Sequence, residues 1–245
     1  MLALGQLICF SNGTIGSATS LSKVNCQFFT QSELRAHQMT LVIIDLGVGN
    51  IASLANSVQH AGCRPEIVSD GSELLRVAKP SGIILPGVGA AGSIIEALSI
   101  RGFRQNLDTL VQVEKVPYLG ICVGAQIITD SCEEFGKTNT GLGWIPGHSS
   151  TMTVNTNLPL PHMGWNSLEV RQGVCLLRGL DKSLMYFAHS CSMKTQENYK
   201  IASMCYGESY IAAVGLRNIY GVQFHPEKSG ASGEILMKNF IRVCG

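Results

Sequence analysis

The sequence predicts an α/β fold: a central, mostly parallel sheet with flanking helices, and antiparallel strands in the C-terminal half. Three observations lead there. Short, nearly continuous apolar runs alternate with helix-spaced stretches in the first half of the chain, which is how strands covered on both faces and their crossover helices are written. Shorter strand-like runs separated by turn residues follow in the second half. The length of 245 residues and a 45% hydrophobic content are enough for one substantial core.

The elements follow in order. "TLVIIDL" (40–46) is the first apolar run, and "NIASLANSVQHAG" continues with helical spacing and a closing glycine at Gly62. "PEIVS", "GIILPG" (82–87) and "VPYLGI" (116–121) repeat the strand theme with helical stretches between them. "LMYFAHS", "YKIASMC", "YIAAVGL" and "NIYGVQF" are expected to be mostly antiparallel strands, and "GEILMKNFIRVC" closes the chain as an amphipathic helix. No internal repeat is present.

Met1 to Ser22 carries no charged residue, and "SNGTIGSATS" has the composition of an unpacked segment. The run "LALGQLICF" lacks the basic flank and small-residue cleavage site of a signal peptide. Residues 1–38 are therefore expected to be a poorly ordered N-terminal extension ahead of a domain over 39–245. Net charge is +1 with scattered charges, which gives no footprint for nucleic acid, and no apolar run reaches the roughly 18–20 residues of a membrane span. Nine cysteines at irregular spacings, without a CxxC pair, fit reduced thiols in a cytoplasmic protein and neither a disulfide framework nor a zinc site.

Chemistry in a parallel sheet collects beyond the carboxyl ends of the strands. "YLGICVGAQ" (118–126) places Cys122 there, in a GxCxG pattern between a strand and a helix. Glycines are needed at such a sharp turn because close-packed neighbours must lack a Cβ, and a turn of this kind aims the sulfur at a helix N-terminus, where thiolate is favoured over thiol. "PGVGA" (86–90) follows another strand and lets backbone N–H groups approach a ligand. "GVGN" (47–50) follows the first strand but lacks the third glycine of a dinucleotide fingerprint. For a base, His225 in "HPE" ends the last strand run. In an extended segment Glu227 points to the same side and can hold one imidazole nitrogen while the other faces Cys122. His37 and His60 have no such context.

"LGICVGAQ", "PGVGA" and "GVQFHPEKS" resemble the triad-type (class I) glutamine amidotransferases, whose fold is flavodoxin-like. "IIDLGVGNIASL", "PHMGWN", "YFAHS" and "GLGWIPG" narrow the resemblance to glutaminase subunits of imidazole glycerol phosphate synthase, over residues 39 to the C-terminus. The family usually has Leu and Met where Val123 and Ala125 stand, and Tyr where Leu46 and Cys191 stand.

The resemblance implies a catalytic triad of Cys122, His225 and Glu227. Oxyanion donors are implied at the N–H of Val123 and in Gly87–Val88. Gln126 and Glu134 match positions that bind substrate glutamine, Glu134 by pairing with its α-ammonium, and His189 and Ser190 match the loop that holds its α-carboxylate. Asn50, Trp165 and Lys228 match positions facing a partner, a (β/α)8-barrel cyclase on a separate chain that forms a heterodimer with the glutaminase. The implied activity is hydrolysis of L-glutamine to supply ammonia for imidazole glycerol phosphate and its purine co-product in histidine biosynthesis, with no cofactor and no metal. The alternative within the same chemistry is ammonia supply to another synthase, such as one that amidates a surface sugar.

Overall fold

The computed structural model describes residues 39–154 and 158–245. The expectation for residues 1–38 lies outside these. Five strands form the parallel core of one eight-stranded sheet: β1 (Leu41–Ile44), β2 (Pro65–Val68), β3 (Gly82–Gly87), β4 (Tyr118–Cys122) and β14 (Ile219–Val222). The sheet continues with β13 (Glu208–Leu216), β12 (Lys200–Tyr206) and β9 (Glu169–Val170), giving the order β2-β1-β3-β4-β14-β13-β12-β9, with the last three joined antiparallel. The first apolar run is shorter than expected, since only Leu41–Ile44 pair as strand, and all four are fully buried.

The helices α1 (Ile51–His60), α2 (Gly71–Arg76), α3 (Ala91–Ile100) and α4 (Phe103–Leu107) connect the early strands. A four-residue α5 (Val123–Gln126) follows β4, and α6 (Gly230–Cys244) ends the chain. α6 buries Leu236, Met237, Phe240 and Ile241, the apolar stripe expected of an amphipathic helix. No helix among the described residues is long and apolar enough to cross a membrane.

Two smaller sheets stand beside the main one. β10 (Leu184–His189) pairs antiparallel with β8 (His162–Ser167), and β11 (Cys191–Thr195), β7 (Gly147–Thr151), β5 (Ser131–Glu134) and β6 (Lys137–Thr140) form a four-stranded sheet. The C-terminal strands are thus mostly antiparallel as expected. β14 differs: it runs antiparallel to β13 but parallel to β4, and so completes the parallel core.

β4 is an inner strand of that core and lies at the middle of the eight-stranded sheet. It is buried along its whole length and flanked by β3 and β14, so its carboxyl end opens at the middle of the sheet's upper edge. Below that end, Tyr118 donates its hydroxyl to the Gly124 carbonyl at 3.0 Å and packs edge-on against Trp144 with ring centres 5.0 Å apart. A fully buried phenol needs such a partner, and this one ties the base of β4 to the turn above it.

Candidate active site

Cys122 stands at the strand-to-helix turn in a left-handed conformation, φ 55° and ψ −110°, which costs a non-glycine residue of order 1–3 kcal/mol. Packing holds it there. A Cβ on Gly120 would lie 2.2 Å from the Gly124 carbonyl oxygen, and one on Gly124 would lie 2.0 Å from that of Leu85. The glycine on each side of the cysteine is therefore a condition for closing the turn, as the GxCxG pattern predicts.

His225 follows β14 and is buried; its Nδ1 lies 2.8 Å from Glu227 Oε1. The sequence reading placed these two on one extended segment, and this is corrected: β14 ends at Val222, and residues 226–228 form a 3₁₀ turn with Pro226 in its first position. Proline suits that place because its missing N–H has no acceptor to lose and its φ is preset. The turn, not strand alternation, folds the carboxylate back onto the ring. Burial disfavours the charged imidazole, but hydrogen bonds to Cys122 and Glu227, with their charges, outweigh it and raise the His225 pKa to about 9. The ring is thus a proton donor at neutral pH. The His225 N–H donates to the Tyr186 carbonyl at 2.8 Å, and its own carbonyl accepts from Ser229 Oγ at 2.6 Å, which fixes the backbone beneath the ring.

A cavity of about 320 Å³ opens over the cysteine. Cys122, Val88, Val123, Gln126, Glu134, His189 and Ser190 all line it, so the structure brings the expected substrate residues together with the thiol. Gly87 lies just outside the lining, across the β3–β4 pair from Cys122. Gln126 is buried, and Glu134 sits on β5, where its Oε2 accepts from the Ala91 N–H at the start of α3 at 3.0 Å. Neither belongs to a solvated helix surface.

His189 and His162 form a buried pair, Nε2 to Nδ1 at 3.2 Å, and His189 Nδ1 lies 2.8 Å from the Cys191 carbonyl. That carbonyl only accepts, so His189 carries its proton on Nδ1 and receives one from His162. Burial, opposed only in part by the Cys191 carbonyl, depresses the His189 pKa to about 4.

The three expected partner-facing residues lie outside the cavity, and each is exposed. Asn50 has a local role as well: its Oδ1 caps α1 by accepting from the Ser53 N–H at 3.1 Å. Trp165 meets Tyr186 edge-on at 5.9 Å, and Lys228 Nζ lies 5.6 Å from the same ring centre. One face of the β8–β10 pair carries Met163 (64% exposed), Trp165 (52%) and Leu184 (53%) beside Tyr186, whereas the opposite face buries His162, Met185, Phe187 and His189. Exposed large apolar side chains gathered on one face mark an interaction surface.

Sequence reasoning missed Gln223, which is fully buried and donates from Nε2 to Cys122 Sγ at 3.6 Å. The trace it left was the one amide inside the apolar run "IYGVQF" (219–224). Missed as well were Met163, Tyr186 and Leu184, whose alternation with buried residues is the period-2 mark of a one-sided strand.

Comparison with known proteins agrees with this geometry. The model of the glutamine amidotransferase class-I family matches residues 42–243. The imidazole glycerol phosphate synthase subunit HisH of Yersinia pseudotuberculosis is 42% identical over 206 residues, covering 84% of this chain and 100% of the relative. HisH of Listeria monocytogenes is 37% identical over 203 residues, covering 83% and 95%. Among solved structures, a glutamine amidotransferase superposes with a TM-score of 0.65 at 18% identity, over 83% of this chain and 98% of that one, which speaks for the fold. The chain belongs to the class-I glutamine amidotransferases and, within them, to the family of HisH subunits of imidazole glycerol phosphate synthase.

Proposed function

We propose that this chain is the glutaminase subunit of an imidazole glycerol phosphate synthase, and that Cys122, His225 and Glu227 are its triad. The Cys122 sulfur attacks the carboxamide carbon of L-glutamine. His225, held protonated by its two partners, gives its proton to the departing nitrogen, and ammonia leaves from a γ-glutamyl thioester. The now neutral ring takes a proton from water, whose oxygen attacks the thioester and releases glutamate. Glu227 orients the ring and offsets its charge. These are acid–base and acyl-transfer steps that call for no cofactor.

Charge on the carbonyl oxygen develops at the carboxyl ends of β3 and β4. The Val123 N–H opens α5 and has no intrahelical acceptor, and Gly87–Val88 supplies the second donor. Glu134 and the His189–Ser190 loop, which all line the cavity, take the α-ammonium and α-carboxylate of the substrate.

Ammonia is mostly protonated near neutral pH and is then a poor nucleophile, so it is passed directly to a synthase. The acceptor is a barrel cyclase on a separate chain, docked on the Trp165 face with Asn50 and Lys228. The single observation that carries the reading is Cys122 on its strained turn beside His225, whose imidazole Glu227 holds at 2.8 Å. The curated relatives favour the histidine-pathway acceptor over a surface-sugar synthase. Steady-state glutaminase assays test it: the isolated chain should turn over slowly, and the cyclase loaded with its ribonucleotide should accelerate it about 10²–10³-fold, the worth of one oxyanion donor. Full activity in the isolated chain, unchanged by the cyclase, would reject the coupling.

A further inference from the structure

Two buried glutamines join the cavity wall to the reactive sulfur. Gln126 Nε2 donates to the Cys191 carbonyl at 3.2 Å and to Gln223 Oε1 at 3.1 Å, and Gln223 Nε2 donates to Cys122 Sγ at 3.6 Å. The direction of this relay is set at one end. A backbone carbonyl can only accept, so the Gln126 atom beside Cys191 must be the amide nitrogen. That nitrogen also faces Gln223, so the Gln223 atom it meets must be the oxygen. The remaining Gln223 atom, the one at the sulfur, is then a donor. Both side chains are buried, where an amide turned the wrong way would set acceptor against acceptor at an unscreened site.

We propose that Gln223 is a catalytic residue of the glutaminase, donating a hydrogen bond to the Cys122 sulfur, and that Gln126 is the positioning residue that fixes its polarity from the Cys191 carbonyl. A thiolate accepts such a bond more strongly than a thiol, because bonds to charged acceptors are the stronger ones. Gln223 therefore favours the reactive form of Cys122, while His225 holds the proton. The same relay decides what Gln126 shows the substrate. With both its N–H groups committed inward, only its Oε1 is left to meet a ligand. An acceptor there suits an N–H donor of a ligand and disfavours a carboxylate, which has no proton to offer.

The inference rests on Cys122 being the nucleophile, and its test separates the two. The full chain is alkylated with iodoacetamide across pH 5–10, and modification of Cys122 is followed by peptide mass spectrometry. Gln223→Glu keeps the size and the acceptor for Gln126 but replaces the donor at the sulfur by an oxygen; Gln223→Met removes both. Each should move the pH of half-reactivity of Cys122 up by about 1 unit, the scale of one charge-assisted hydrogen bond. Each should lower kcat with KM for glutamine changed less than twofold. Gln126→Met leaves Gln223 free to turn and should move the same midpoint in the same direction by a smaller step. Should one Gln223 variant fail to fold, judged by circular dichroism, the other and Gln126→Met decide. Unchanged midpoints in folded variants, with an electrophilic glutamine analogue still labelling Cys122, would overturn the role of Gln223 alone. Loss of that labelling preference in the unaltered chain would instead overturn the nucleophile.

Discussion

Gly87 and Cys122 face each other across the β3–β4 pair, each the last residue of its strand. The strand that delivers the thiol thus lies beside the strand proposed to deliver the second oxyanion donor. A Cβ on Gly87 would sit 2.7 Å from the Gly124 nitrogen and 2.9 Å from Val123 Cβ, atoms that cannot move without shifting α5. Gly87→Ala should therefore displace the Val123 N–H and lower kcat about 10²–10³-fold, measured by steady-state glutamate release. A variant with normal kcat would remove this end of β3 from the mechanism.

The Glu227 partner should be visible in the titration of His225. In the intact chain the ring should titrate near pH 9 by histidine NMR, and Glu227→Gln should bring that value down. The folded value lies above the unfolded one of about 6.5, so the paired ring adds stability in full below about pH 6.5. That contribution should fade as pH rises through about 9, and Glu227→Gln should flatten the decline in denaturant midpoint. An unchanged titration in the variant would show that Glu227 does not govern the ring.

His189 gives the opposite slope. Its pKa of about 4 lies below the unfolded value, so the unfolded chain binds the proton first as pH falls. The stability present above about pH 6.5 should decline as pH drops toward about 4. His189→Asn should make that acid decline shallower, as followed by urea midpoints at stepped pH. An identical decline in the variant would place the acid-sensitive group elsewhere.

Much of this was legible in the sequence, for reasons that differ by residue. Leu41–Ile44 announced a buried parallel strand because no polar face interrupts it. Gly120 and Gly124 announced the turn because only glycine fits beside backbone carbonyls 2.0–2.2 Å from its would-be Cβ. The sheet of β5, β6, β7 and β11 was far less legible: "SCEE", "KTNT" and "GHSST" are short and polar, and their pairing is set by contacts distant in sequence. The His225–Glu227 contact was foreseen with the wrong geometry, because Pro226 starts a turn where alternation had been assumed. Gln223 showed in the sequence only as an amide within an apolar run, and its role stayed hidden because the polarity of that amide is fixed by Cys191 through Gln126.

The exposed face of β8 and β10 should bind the synthase partner through its aromatic anchor. Trp165→Ala should raise the Kd for the barrel cyclase about 30-fold, the effect of losing a residue worth about 2 kcal/mol at an interface. Isothermal titration calorimetry reads this, and labelling of Cys122 in the isolated variant should be unaltered. An unchanged Kd would move the interface off this face.

The most direct test of the account is covalent labelling with an electrophilic glutamine analogue, resolved by peptide mass spectrometry. One adduct per chain should form on Cys122 and on none of the other cysteines, among them the cavity-lining Cys191. Cys122→Ala should fold with the same circular dichroism spectrum, take up no label and release no glutamate. Labelling at full stoichiometry in Cys122→Ala, or glutamine hydrolysis surviving in it, would contradict the central claim.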